Sequence, residues 1–298
     1  MDNAIEVTGL TKRFGPVGAV QDLSFTVRRG AVTGFLGPNG AGKTTTLRLI
    51  LGLATPTRGE ATIFGRRYAD LDRPVERVGA LLESTGFHPG RRGRDHLRVL
   101  AASTGLPESR VDEVLDEVGL AHAGARRVKG YSLGMRQRLG LASALLGQPE
   151  ILVLDEPANG LDPEGVRWLR ESLRNFAASG GTVLISSHQL AEMAETVDDV
   201  VIVAHGRLVA QSRLTDLAGR TGVRVRTPDP AALVAALAAR GVTAEPVDGD
   251  AVVAFETTTE VVGLAAAGLG LVIFEMTAER FDLEEVFLGL TTTEGAVR

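Results

Sequence analysis

Gly37-Pro38-Asn39-Gly40-Ala41-Gly42-Lys43-Thr44-Thr45 stands between an apolar run, residues 31–36, and a helical run that begins Thr46-Leu47-Arg48-Leu49-Ile50. A strand, a glycine loop and then a helix is the context in which this pattern makes a phosphate cradle. Glycines at 37, 40 and 42 let the backbone curl with its N–H groups turned inward, a nest for anions. The helix that starts near Lys43 adds unpaired N–H groups and the positive end of its dipole. Lys43 supplies a compact cation for the outer phosphates, and Thr44 a hydroxyl for Mg²⁺. Lysine occurs only at positions 12, 43 and 129, which leaves 29 arginines among the 32 basic residues. A chain that uses arginine almost everywhere keeps lysine where a planar fork would not do the same job.

Working outward, Ile151-Leu152-Val153-Leu154 is apolar without alternation, as a parallel strand covered on both faces should be. It ends in Asp155-Glu156. In an open α/β sheet that carboxyl edge is where ligands bind, and two acids there beside a phosphate loop point to a functional role rather than a solvated turn. A second strand, Thr182-Val183-Leu184-Ile185-Ser186-Ser187, ends at His188, the same kind of position. A lone histidine is usually structural; its place at this edge raises the case for a polar role. Phe14 sits in the polar stretch Thr11-Lys12-Arg13-Phe14-Gly15. It reads either as a rim hydrophobe or as a flat ring that stacks on a base.

The 298 residues allow one large domain or two ordinary ones, and 44% hydrophobic content supports a sizeable, mainly aliphatic core with only 4% aromatics. Net charge is −5 and there is no basic block, which argues against nucleic acid as partner. Zero cysteines exclude disulfides, thiolate metal sites and a cysteine nucleophile. The first residues show no secretory pattern, and no run is long and apolar enough to span a membrane.

Short strands are expected over residues 4–35, with a turn at Gly15-Pro16. Helical periodicity takes over from about 84. Asp162-Pro163 opens a further helix, as N-cap and N1 residues, with Val166, Leu169, Leu173 and Phe176 as its apolar stripe. A hairpin around His205-Gly206 should close the first domain, followed by a polar hinge over 215–222. Beyond it, strands at 223–226, 242–247, 251–255 and 271–276 and helices at 230–240 and 260–267 make a βαββαβ plan. Residues 281–290 read as a final helix.

Tyr131-Ser132-Leu133-Gly134-Met135-Arg136-Gln137-Arg138, just upstream of the acidic strand, resembles the signature of ABC transporter ATP-binding subunits. The resemblance covers about residues 2–215. It implies an α/β P-loop NTPase cassette at 1–215, made of a RecA-like core, an antiparallel β subdomain and a helical subdomain at about 84–148. A small ferredoxin-like α+β domain at 221–298, for dimerisation or regulation, follows. It also implies ATP hydrolysis with Mg²⁺, and roles position by position. Phe14 resembles the aromatic that stacks on adenine, Asp155 the Mg²⁺-directed aspartate and Glu156 the base that polarises water. His188 resembles the switch histidine at the γ-phosphate, and Asn159-Gly160-Leu161-Asp162 the dimer-contact loop. Ser132 and Gly134 should reach the nucleotide held by a second subunit, either another copy or a paired ABC subunit. The partner in transport is a separate integral-membrane permease, which places the chain at the cytoplasmic face of the membrane.

Three departures from the family pattern stand out. Phe14 replaces a commoner tyrosine, and Leu133 and Met135 replace glycine and glutamine of the commonest signature. Glu83 stands where a glutamine usually touches Mg²⁺ and the permease; glutamate there resembles bacitracin- and lantibiotic-type exporters, and the tail resembles that of daunorubicin-resistance ATPases. A metal role for Glu83 predicts that Glu83→Gln shifts the Mg²⁺ dependence of ATPase activity; identical curves would remove that role. The expected function is therefore export of a drug, antibiotic or lipid-like molecule. The rival is a soluble ABC ATPase acting on ribosomes or DNA, which usually needs two cassettes or a long coiled coil.

Overall fold

The structure, a computed structural model, describes residues 3–82, 86–188, 193–218, 221–247 and 249–280. In chain order the first part contains β1 (Asn3–Phe14), β2 (Val17–Arg28), β3 (Val32–Leu36), α1 (Lys43–Ile50), β4 (Arg58–Ile63), α2 (Pro74–Arg77) and β5 (Val78–Leu81). Then come α3 (Gly93–Thr104), α4 (Ser109–Glu117), α5 (Leu133–Leu145), β6 (Ile151–Asp155), α6 (Pro163–Ala178), β7 (Thr182–Ser187), β8 (Asp199–Ala204) and β9 (Arg207–Arg213). The chain divides into two compact units after Ser212.

Six strands of the first unit form one sheet in the order β5-β6-β7-β3-β8-β9. The pairs β5–β6, β6–β7, β7–β3 and β3–β8 are parallel. All residues of β3, β7 and β8 are buried, which explains their unbroken apolar runs: helices or a second sheet cover both faces. The second sheet is antiparallel, β2-β1-β4. One core joins it to the first, with Ile5, Leu23, Phe35, Leu47, Ile63 and Val153 packed together. The Phe25 and Phe35 rings stack within it at 5.2 Å.

A polar clasp also ties the sheets. Arg28 ends β2 and Asp199 begins β8; the guanidinium donates from Nε and Nη2 to the two carboxylate oxygens at 2.6 and 2.8 Å. Asp199 is buried, and this carboxylate holds the Arg28 pKa above its usual value. Asp199→Ala would strand a partly buried cation. A loss of about 2 kcal/mol in urea unfolding is expected, and no measurable loss would deny the clasp any part in stability.

The helical segment lies between β5 and β6 in sequence, and α5 returns against β5. As the sequence predicts, Asp162 caps α6, accepting from Gly165 N–H at 2.8 Å, with Pro163 in the first turn.

The second unit carries β10 (Thr221–Arg226), β11 (Ala244–Val247), β12 (Ala251–Phe255) and β13 (Glu275–Arg280), with helices Pro230–Ala238 and Thr259–Gly268 between them. The sheet order is β11-β12-β10-β13, antiparallel throughout, an interleaving of two βαβ halves. Val223, Val225, Leu233, Leu237, Val252 and Val262 form its core. The last strand lies four residues later than the sequence pattern predicts. Leu271 and Ile273 pack on the small core, while Leu271 N–H donates to Ala266 O and Phe274 N–H to Arg226 O. The apolar run 271–274 thus serves the connection from helix to strand, with Leu271 and Ile273 half-buried and Val272 and Phe274 exposed. The expected hinge contains a short helix, Leu214–Ala218, and the helix expected over 281–290 lies outside the described residues.

Candidate nucleotide site

Strands β6, β7 and β3 are consecutive neighbours and parallel. Their carboxyl ends therefore present Asp155-Glu156, His188 and the loop 37–45 side by side. That adjacency turns three separate sequence signals into one site.

In the loop, Pro38, Asn39 and Gly40 are exposed at the lip, whereas Gly37, Ala41 and Lys43 are buried. Gly40 and Gly42 have φ of +82° and +96°, and a Cβ on Gly42 would lie 2.4 Å from the Ala19 carbonyl oxygen. Only glycine accepts both that backbone region and that approach. Lys43 begins α1 and donates from Nζ to Gly37 O at 2.7 Å and Pro38 O at 3.3 Å. These contacts hold the ammonium under the arch of the loop. Thr44 and Thr45 follow, both partly buried.

Thr44 Oγ1 donates to Asp155 Oδ2 at 2.6 Å. Ser186 Oγ donates to Asp155 Oδ1 at 2.5 Å and accepts from Glu156 N–H at 2.9 Å. Ser186 lies directly opposite Asp155 in the β6–β7 register, so one buried hydroxyl fixes both acids. Glu156 itself has φ of +45°, an uncommon region for a side-chain-bearing residue that costs about 1–3 kcal/mol and is retained where surroundings impose it. Its carboxylate meets Lys43 Nζ at 3.3 Å, Asn159 Nδ2 at 2.5 Å and His188 Nδ1 at 3.0 Å. Burial alone would raise the carboxyl pKa. The Asn159 hydrogen bond, Lys43 and His188 together outweigh that effect and hold it below the usual carboxylate value. These contacts therefore contribute stability above the ordinary carboxylate range, and lose it as pH falls through the lowered value.

The donors suit Mg²⁺. Among the described residues no group of three or more His, Cys, Asp or Glu could hold an ion unaided. One hydroxyl and one carboxylate, both hard oxygens, are the protein's usual share when substrate phosphates complete the shell.

The structure thus gathers Lys43, Thr44, Asp155, Glu156 and His188. Phe14 ends β1, 55% exposed, with Lys12 Nζ 5.0 Å from its ring centroid. Ser132, exposed, caps α5, accepting from Met135 N–H at 3.2 Å, and half-buried Gly134 lies in its first turn; among the described residues neither makes a hydrogen bond to the Lys43–Glu156 cluster. Glu83 falls outside the described residues. Sequence reasoning passed over Ser186 and the contact of Asn159 with Glu156. The signal for the first was faint: a polar pair, Ser186-Ser187, at the end of a buried strand.

The arrangement is that of a P-loop nucleotide hydrolase. A family model described as ABC transporter matches residues 20–159. The bacitracin transport ATP-binding protein BcrA of Bacillus licheniformis is 42% identical over 214 residues, 71% of this chain and 70% of that protein. The lantibiotic transport ATP-binding protein SrtF of Streptococcus pyogenes is 34% identical over 207 residues, 70% of this chain and 90% of that protein. A solved structure of the ATP binding subunit of an ABC transporter matches with TM-score 0.65 at 31% identity, covering 72% of this chain and 91% of that one. The cassette MJ0796, solved as a dimer bound to ADP and phosphate, shares the fold with TM-score 0.63 at 21% identity, over 70% and 98% of the two chains. The chain belongs to the ABC transporter family as an ATP-binding subunit, and it is an ATPase. Residues 221–284 match a domain of unknown function, DUF8746.

Proposed function

We propose that this chain powers export of an antibiotic- or drug-like molecule through a separate membrane permease, docked at the cytoplasmic face. The observation that carries the ATPase half is the cluster at one sheet edge, where Lys43, Asp155, Glu156 and His188 converge on the phosphate loop. Support for the export half comes from the relatives named for bacitracin and lantibiotic transport. Among the described residues no helix is long and apolar enough to cross a membrane; in this reading the permease provides the translocation path.

In this reading the loop N–H groups and Lys43 hold the β- and γ-phosphates, and the exposed Phe14 ring offers a face to adenine. Thr44 and Asp155 would hold Mg²⁺, which when bound would supply charge neutralisation for the phosphates; Glu83, outside the described residues, is the third residue proposed for the metal. Glu156, ionised at neutral pH, orients the attacking water and accepts its proton, while His188 reaches the γ-phosphate. Ser132 and Gly134, at a helix N-terminus, complete the site of a second subunit. The first domain spans 1–215, and the small domain from 221 onward dimerises or regulates.

Co-purification of the full chain with an integral-membrane permease, and transport-substrate stimulation of ATPase in that complex, are the expected results. Stimulation by ribosomes or nucleic acid, without permease binding, would overturn the export reading in favour of the soluble alternative.

A further inference from the structure

The signature edge and the catalytic edge are joined within one chain by a contact that neither motif explains. Leu133 opens α5 and is 46% exposed, an apolar side chain on the polar rim that carries Ser132 and Gly134. Its Cδ2 lies where it would be 2.3 Å from a Cβ on Gly160. Gly160 also has φ of +73°, so it is bare for two reasons: its backbone region and the leucine seated on it. One residue further, Leu161 Cδ2 lies 3.6 Å from where a Cβ on Gly134 would stand. The loop that bears Gly160 is short and tied to Glu156. Asn159 N–H donates to Glu156 O, Leu161 N–H to Ala158 O, and the Asn159 amide holds the Glu156 carboxylate. A further contact ties α5 to α6, the helix that follows this loop: the Arg138 guanidinium lies 4.0 Å from the centroid of the Trp168 ring.

We infer that Leu133 is a positioning residue that couples the two nucleotide sites of a dimer. This rests on the reading that Ser132 and Gly134 serve the nucleotide of a second subunit while Glu156 serves the subunit's own. Engagement of Ser132 by a partner's nucleotide moves the start of α5; Leu133 passes that movement to Gly160, and the loop passes it through Asn159 to the base. Coupling requires a shared element that both sites bias, and the packing of Leu133 on a bare glycine, between the signature helix and the loop after Glu156, is that element.

The test is a double-mutant cycle in the full chain, with Leu133→Ala, Gly160→Ala and both together, reading turnover against ATP concentration. Wild type should show a Hill coefficient above 1.5. Leu133→Ala should bring it toward 1 and lower kcat about tenfold, while binding of a fluorescent ATP analogue to the phosphate loop is unchanged. Leu133→Met should restore cooperativity. Gly160→Ala should lower kcat further, because the new methyl meets Leu133, and the double variant should recover part of that loss. The φ penalty of alanine at 160 is common to both backgrounds and cancels. Independent effects in the cycle, or a wild-type Hill coefficient of 1, would overturn the coupling. Ser132→Ala measured in parallel separates the two layers. Impaired turnover there with an additive cycle removes only Leu133's role; undiminished turnover removes the signature reading and the coupling with it.

Discussion

Glu156→Gln is expected to bind ATP, collect as a closed dimer and lose turnover by about 10²-fold or more. The substitution keeps the size of the side chain, its backbone preference and an oxygen that can accept from Asn159. It removes the charge that pairs with Lys43 at 3.3 Å and the basic oxygen that takes a proton from water. Phosphate binding does not need that charge; with Lys43 freed from its acidic neighbour, the loop holds ATP at least as well. Size-exclusion chromatography with and without ATP reads the dimer, and phosphate release reads the turnover. Normal turnover would refute the assignment of Glu156 as base, and the strained φ of +45° at this residue would then need another explanation.

Lys43→Ala should cost about 2–4 kcal/mol of ATP binding, roughly 30- to 1,000-fold in Kd. The Lys43 side chain is 5% exposed. Its loss takes a donor from the Gly37 and Pro38 carbonyls and leaves the triphosphate facing Glu156 without a cation between them. Calorimetric titration with a non-hydrolysed ATP analogue measures this, and undiminished affinity would remove the cradle argument. Lys43→Arg should rescue little, because a planar fork cannot enter the arch that a single ammonium fills.

Both predictions depend on residues legible in the sequence, yet for different reasons. The loop was readable because its chemistry is local: glycines, a lysine and a helix start within nine residues specify a nest by backbone conformation alone. Asp155 and Glu156 were readable because an unbroken apolar strand announces burial, and acids at its end announce an edge. The βαββαβ order of the small domain was likewise visible in alternating runs, although its final strand slid by four residues. The apolar run 271–274 reads the same whether it faces a sheet or packs a connection, and only the core decides between them.

Ser186 was not legible as part of the site, and Asn159 was legible only through resemblance, as part of a dimer-contact loop. Each is a common polar residue whose meaning comes from what stands opposite, Asp155 across a parallel register or the Glu156 carboxylate across a tight loop. Leu133 showed only as a departure from a family pattern; its seat on Gly160 exists because α5 folds back beside the loop that follows β6.

By itself, the sequence determined the class of chemistry, a phosphate loop with an acidic strand end and a signature helix, since backbone freedom and strand burial are encoded within a few neighbouring residues. Tertiary structure alone decided that β6, β7 and β3 lie side by side. Strand order is set by long-range packing, so the 2.6 Å bond between Thr44 and Asp155, 111 positions apart, and the arrangement that lets one buried serine orient two acids, appear only once the sheet is assembled.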